Sequence, residues 1–150
     1  MTRIDQVGTV ALDHIGIVVN DINFSKAIYE NVFGFTYKNT VVLKDQGNII
    51  AILEANGLKL ELIQPLHNNS NTYNFLMSRG GGIHHIAFQV RNIEMMINKL
   101  LDNGISVINN NTTEGIDGSL ISFIHPYFTD KVLIELCQKN IDRSIDRRSI

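Results

Sequence analysis

The chain has 150 residues, 44% of them apolar and 19% charged, and its 13 basic and 15 acidic side chains leave a formal charge of -2. That length suits one globular domain with a core of its own, and the balanced charge excludes the basic excess that drives nonspecific binding to nucleic acid or anionic lipid. A single cysteine, Cys137, rules out an intrachain disulfide and fits a reducing compartment.

Met1 to Gln6 carry neither the basic start nor the apolar stretch of a signal peptide. No apolar run approaches the roughly 20 residues of a transmembrane helix, so the expected location is the cytoplasm. Residues 9–19 read as a strand. Residues 24–32 read as a helix, with Phe24, Ala27, Ile28 and Val32 at helical spacing and Gly34 just beyond to end it. Residues 35–44, 48–54 and 57–64 are rich in β-branched or alternating apolar residues and read as strands, separated by Gly47-Asn48 and Asn56-Gly57 turns and stopped at Pro65. A connecting segment, 67–82, follows; within it 71–79 is open to a helix, and Gly80-Gly81-Gly82 permit a sharp turn. Residues 83–91 read as a strand and 94–103 as a helix carrying Met96, Ile97, Leu100 and Leu101. Strands over 105–109, 119–125 and 131–138 complete the pattern, with a polar Asn/Thr/Gly loop between the first two. The polar, charged residues 140–150 read as a tail.

The chain repeats itself. LDHIGIVVNDI at 12–22 matches IHHIAFQVRNI at 83–93 with a spacing of 71: His14 falls on His85, Asp13 on His84, Gly16 on Ala87 and Ile22 on Ile93. Farther along, KLELIQ at 59–64 matches LIELCQ at 133–138, which places Glu61 on Glu135 at a spacing of 74. Each half is therefore β-α-β-β-β, opening on a strand with a histidine and closing on a strand with a glutamate. The expected fold is α+β: one domain over 1–139, with modules 9–65 and 82–138 joined in one curved mixed sheet around a shared cleft.

An approximate twofold between the modules sets His14 against His85 and Glu61 against Glu135. A histidine on an apolar strand is usually structural, and a glutamate between leucines can be an edge charge facing solvent. Two duplicated pairs at matched positions are harder to explain that way, and a buried carboxylate needs a partner or a metal. Two imidazoles and two carboxylates suit one divalent ion, Co, Mn, Ni, Zn or Fe, with positions left open for water or substrate. His84, next to the second ligand, is expected to pack, since adjacent strand residues face opposite ways. Glu54 is a reserve carboxylate.

The paired DHIGIVV and GGGIHHIAFQV strands, the LELIQP and PLHNNSNTYNFL segments and the FIHP…VLIEL ending resemble the vicinal oxygen chelate (glyoxalase) superfamily, and within it the methylmalonyl-CoA epimerases. The resemblance spans residues 11 to 139. It implies the same four ligands, His14, Glu61, His85 and Glu135, and a divalent metal that chelates two vicinal substrate oxygens. It further implies epimerisation of an acyl-CoA thioester such as methylmalonyl-CoA, with Glu135 and Glu61 moving the proton, and a homodimer.

Three departures stand out. Glu61 occupies a position that is Gln in some epimerases, Ile50 one that is Glu in some, and Tyr127 one that is often Lys, with Lys131 displaced. The alternatives are a lactoylglutathione lyase-type isomerase, a dioxygenase with two histidines and one carboxylate, and a non-catalytic small-molecule-binding member. HPYFTDK in place of a DPDG-like turn argues against the first. A fourth ligand argues against the second, and filled ligand positions against the third.

Overall fold

The computed structural model describes residues 8–140. The tail expected over 140–150 lies outside them from residue 141 onward. The chain runs β1 (Thr9–Val18), α1 (Ile22–Asn31), β2 (Thr36–Leu43), β3 (Asn48–Ala55), β4 (Leu58–Pro65), α2 (Asn71–Arg79), β5 (Gly82–Val90), α3 (Ile93–Asp102), β6 (Thr113–Glu114), β7 (Leu120–Ile124) and β8 (Ile134–Gln138). These strands form one mixed sheet in the order β2-β3-β4-β1-β5-β8-β7-β6. The order is the same when each half is read inward from its own edge. The halves meet where β1 and β5 run antiparallel, and within them β1 pairs parallel with β4 and β5 parallel with β8.

The register reproduces the sequence repeat. Gly16 stands beside Glu61 in the first half, and its counterpart Ala87 stands beside Glu135 in the second. A second device is duplicated as well. The Gln64 side chain at the end of β4 accepts a hydrogen bond from the Ile22 N–H at 2.8 Å, and Gln138 at the end of β8 accepts one from the Ile93 N–H at 2.7 Å. Each glutamine satisfies a free amide in the first turn of its module's helix. The N-caps Asp21 and Asn92, also matched in the repeat, satisfy the next ones.

Alternation along the strands sorts the core onto two faces. Ala51, Leu53 and Leu62 pack with Val19 and with Ile22 of α1, while Val90 and Leu136 pack with Ile93, Ile97 and Leu100 of α3. The intervening positions Ile50, Ile52 and Ile63 form a separate cluster with Val18 and with Leu76 of α2, against which Ile116 from the β6–β7 loop also packs. Both long module helices thus cover one face, and the other is left for the cleft, closed at one end by α2. Residues 71–79, open to a helix from their sequence, form one, capped by Ser70 and ended by Gly80 in a left-handed conformation (φ 78°).

One expected strand is not formed. In place of a strand over 105–109, Val107 makes an isolated bridge to Ile124 and a 3-10 turn follows at Ile108–Asn110. Asn109 and Asn110 take positive φ values of 63° and 50°, a conformation asparagine tolerates and a strand cannot continue through. The second module's outer edge is therefore the two-residue strand β6. The last strand starts at Ile134 rather than 131, because Asp130 and Lys131 also have positive φ. Among the described residues no helix is long and apolar enough to cross a membrane.

Candidate metal centre

Four neighbouring strands, β4-β1-β5-β8, each bring one polar residue to the same face: Glu61, His14, His85 and Glu135. All four are buried, none more than 6% exposed. The two imidazoles meet edge to face, with His14 Nε2 and His85 Nε2 3.0 Å apart. Glu135 reaches both, with Oε2 3.4 Å from His85 Nε2 and Oε1 3.8 Å from His14 Nε2. Glu61 Oε2 lies 3.5 Å from His14 Nε2 and makes no such pair with His85. One donor atom each from His14, His85 and Glu135 fit within 4.8 Å of one another.

The donor set fits a divalent ion. His14 donates from Nδ1 to Asp13 Oδ2 at 2.6 Å, and His85 Nδ1 is engaged by His84 Nδ1 at 3.0 Å. Both Nε2 atoms therefore face inward, toward each other and toward two carboxylates. Two nitrogens held at right angles, each about 2.1 Å from one ion, are about 3.0 Å apart. That is the separation the imidazoles have here.

The electrostatics agree with a cation-seeking centre. Burial pushes the Glu135 carboxyl up to about 7, opposed by His14 and reinforced by Glu61. Burial raises Glu61 too, with His14 and Lys59 pulling it back. Burial pushes His85 down to about 3, helped by His14 and His84. For His14 burial works against the charge, yet the hydrogen bond to Asp13 and the fields of Glu61 and Glu135 win and its pKa is raised. Burial works against the Asp13 charge as well, but His14, Lys59 and Lys139 hold it well below the usual carboxylate range. Lys139 Nζ stands 3.1 Å and Lys59 Nζ 3.4 Å from its oxygens.

The structure separates the reserve positions from the cluster. Glu54, at the end of β3, is half-exposed and pairs with Lys38 at 3.5 Å, so it takes no part. Ile50 lies in the apolar cluster beside Ile63 and carries no base. Tyr127 is exposed in a 3-10 turn at Pro126–Phe128. His84 packs edge-on against Phe75 as expected, but it also touches His85, which alternation alone does not predict. Asp13, Lys59 and Lys139 were not singled out from the sequence; the signal for Asp13 was its place directly before a candidate ligand. Gly16 was noticed only as a partner of Ala87, although a Cβ there collides with the His85 ring.

The sequence profile of the Glyoxalase/Bleomycin resistance protein/Dioxygenase superfamily matches residues 13–123. The chain belongs to that superfamily. It is 37% identical over 132 residues to the Bacillus subtilis protein YqjC, a match covering 88% of this chain and 94% of that one. It is 30% identical to the mitochondrial methylmalonyl-CoA epimerase of Bos taurus over 128 residues, 85% of this chain and 73% of the relative. Its fold matches a variant of the Streptomyces coelicolor methylmalonyl-CoA epimerase in complex with 2-nitronate-propionyl-CoA, with a TM-score of 0.84 and 30% identity, covering 89% of this chain and 97% of that one.

Proposed function

We propose that this superfamily member is an epimerase of acyl-CoA thioesters that carry a carboxylate on the α-carbon, with methylmalonyl-CoA as the first substrate to test. We also propose that His14, Glu61, His85 and Glu135 hold one divalent ion. The observation that carries the reading is a pair of buried carboxylates, Glu61 on β4 and Glu135 on β8, on either side of two imidazoles. Relatives at about 30% identity that are methylmalonyl-CoA epimerases support the substrate class.

An ion held by these residues would supply Lewis-acid stabilisation of the negative charge left when the α-proton is removed. The chain supplies the proton path. Inverting a carbon requires removal of its proton on one face and return on the other, hence two groups able to act as acid and base. Burial raises the Glu135 carboxyl to about 7, which makes it a stronger base once its proton has been displaced. Glu61, also raised, serves the opposite face. The apolar cluster of Ile50, Ile52, Ile63 and Val18 lies beside the centre and offers no competing base on that side.

The test is exchange of the α-proton of methylmalonyl-CoA in D₂O, followed by NMR with chiral analysis of the product. Exchange with inversion that stops on chelation and returns with Co²⁺ or Mn²⁺ is the expected result. No exchange by the metal-loaded protein, together with turnover of a glutathione hemithioacetal, overturns the assignment in favour of lactoylglutathione lyase chemistry.

A further inference from the structure

Antiparallel β1 and β5 do not pair in simple register. Between Leu12↔Phe88 and His14↔Ala87, β1 advances two residues while β5 advances one, so Asp13 is an extra residue. Between Gly16↔His85 and Ile17↔Ile83 the reverse holds, and His84 is the extra residue on β5. Both are β-bulges. Asp13 and His84 occupy matched positions in the repeat, each directly before a histidine of the centre.

In a regular strand, neighbouring side chains point to opposite faces, so neither residue could touch the histidine that follows it. A bulge swings the extra side chain round. Asp13 Oδ2 accepts from His14 Nδ1 at 2.6 Å, and His84 Nδ1 lies 3.0 Å from His85 Nδ1. His84 is in turn seated against Phe75 of α2, with ring centroids 5.0 Å apart. Asp13 is seated between Lys59 and Lys139. A further shift lies between Thr9 and Ala11 on β1; the bulge that directly precedes each histidine has the same consequence in both halves: the Nδ1 of the next imidazole is occupied and its Nε2 is turned to the centre.

We propose that Asp13 and His84 are positioning residues, which fix the Nδ1–H tautomers of His14 and His85 and so present both Nε2 lone pairs to a divalent ion. The proposal rests on the four-ligand reading above. Partners of this kind typically contribute 10–100-fold to metal affinity.

The test uses the full-length protein, Co²⁺ titrations followed by absorption, and ring ¹⁵N shifts of the metal-free protein. Asp13→Ala and His84→Ala are each expected to weaken Co²⁺ binding by roughly 10–100-fold, with metal-free thermal stability showing that the variants fold. Asp13→Asn and His84→Asn keep a carbonyl oxygen that accepts from Nδ1–H, and each is expected to recover part of the loss. Asp13→Asn leaves Lys59 and Lys139 as unneutralised as Asp13→Ala does, so its recovery assigns the effect to the hydrogen bond rather than to stray positive charge. Wild-type Co²⁺ affinity in both alanine variants, or no recovery by asparagine, overturns the proposal. Wild-type protein that binds no Co²⁺ refutes the four-ligand reading instead. In that event the ¹⁵N shifts still decide: a bare Nδ1 on His14 or His85 overturns the positioning role, whereas protonated, hydrogen-bonded Nδ1 atoms on both that are lost in the alanine variants sustain it.

Discussion

Gly16 offers the sharpest test of whether this cluster is a metal centre. It lies opposite His85 across the β1–β5 pair and its φ is not positive, so the backbone makes no demand for glycine there. Space does. A Cβ at Gly16 abuts Cε1 of the His85 ring and comes within 2.5 Å of Nδ1 and 2.7 Å of Nε2. Comfortable contact between carbon and such atoms is about 3.5–4.0 Å, so in Gly16→Ala the ring must retreat by about an ångström. Metal ligation tolerates about 0.2 Å. The variant is expected to lose His85 as a ligand and with it more than the ~100-fold upper range for losing a supporting partner, while overpacking costs the metal-free protein about 1–3 kcal/mol.

The repeat provides the control. Ala87 holds the matched place, fully buried beside His14, and is accommodated there. Ala87→Gly is expected to cost about 0.5–1 kcal/mol through backbone freedom and to leave metal affinity near wild type. Calorimetric metal titration and thermal melts of both variants measure the two quantities separately. Wild-type metal affinity in Gly16→Ala would refute the reasoning, because the ring would then have moved without consequence.

Four further outcomes are expected. Glu61→Gln keeps a ligating oxygen and so retains metal, but loses inversion by roughly 10²–10⁴-fold while exchange on one face persists; chiral analysis after incubation in D₂O reads this directly. Glu135→Gln keeps an oxygen but removes the negative charge beside both imidazoles and the base, so metal binding weakens and exchange is lost, checked by metal content and the same assay. Metal affinity falls as pH drops below about 7, since burial keeps Glu135 protonated there and the ion must displace that proton; titrations between pH 6 and pH 8, on the order of tenfold per unit for each proton released, follow it. Gln64→Ala and Gln138→Ala each leave a helix N–H without its partner and destabilise the protein by about 1–3 kcal/mol, by similar amounts and with metal affinity unchanged, as thermal melts and metal titration will show.

The duplicated strands carried most of the architecture in plain view. A spacing of 71 between His14 and His85 and of 74 between Glu61 and Glu135 pairs these residues across a twofold; that they stand on four adjacent strands, with His14, His85 and Glu135 grouped within 4.8 Å, comes from the strand order. Gln64 and Gln138 were visible in the same alignment, but nothing in a strand-end glutamine announces that it reaches a helix amide. The bulges at Asp13 and His84 were not legible, since alternation assigns neighbours to opposite faces and one extra residue reverses that rule locally. The missing strand over 105–109 failed for another reason. Its apolar residues were read as a pleat, whereas Asn109 and Asn110 adopt left-handed backbone and end the pairing.

The two halves share a frame and differ in charge. Asp13, anionic and held by two lysines, stands behind His14, whereas uncharged His84 stands behind His85. Burial opposes the charge on both, but the Asp13 hydrogen bond and the carboxylate fields raise His14, while burial pushes His85 down to about 3 with the fields of His14 and His84 added, so two imidazoles in equivalent positions are shifted in opposite directions. The carboxylates are unequal in the same sense. Burial raises both, His14 and Lys59 pull both back and Asp13 pushes both up; Glu135, with the field of Glu61 added, reaches about 7. An epimerase gains from that inequality. If both carboxyls were ionised, neither could return a proton, and if both were protonated, neither could take one. A geometric twofold with unequal fields gives the proposed reaction two non-identical carboxyls, and a reversible inversion needs one to take the α-proton while the other returns one, the roles exchanging in the reverse direction.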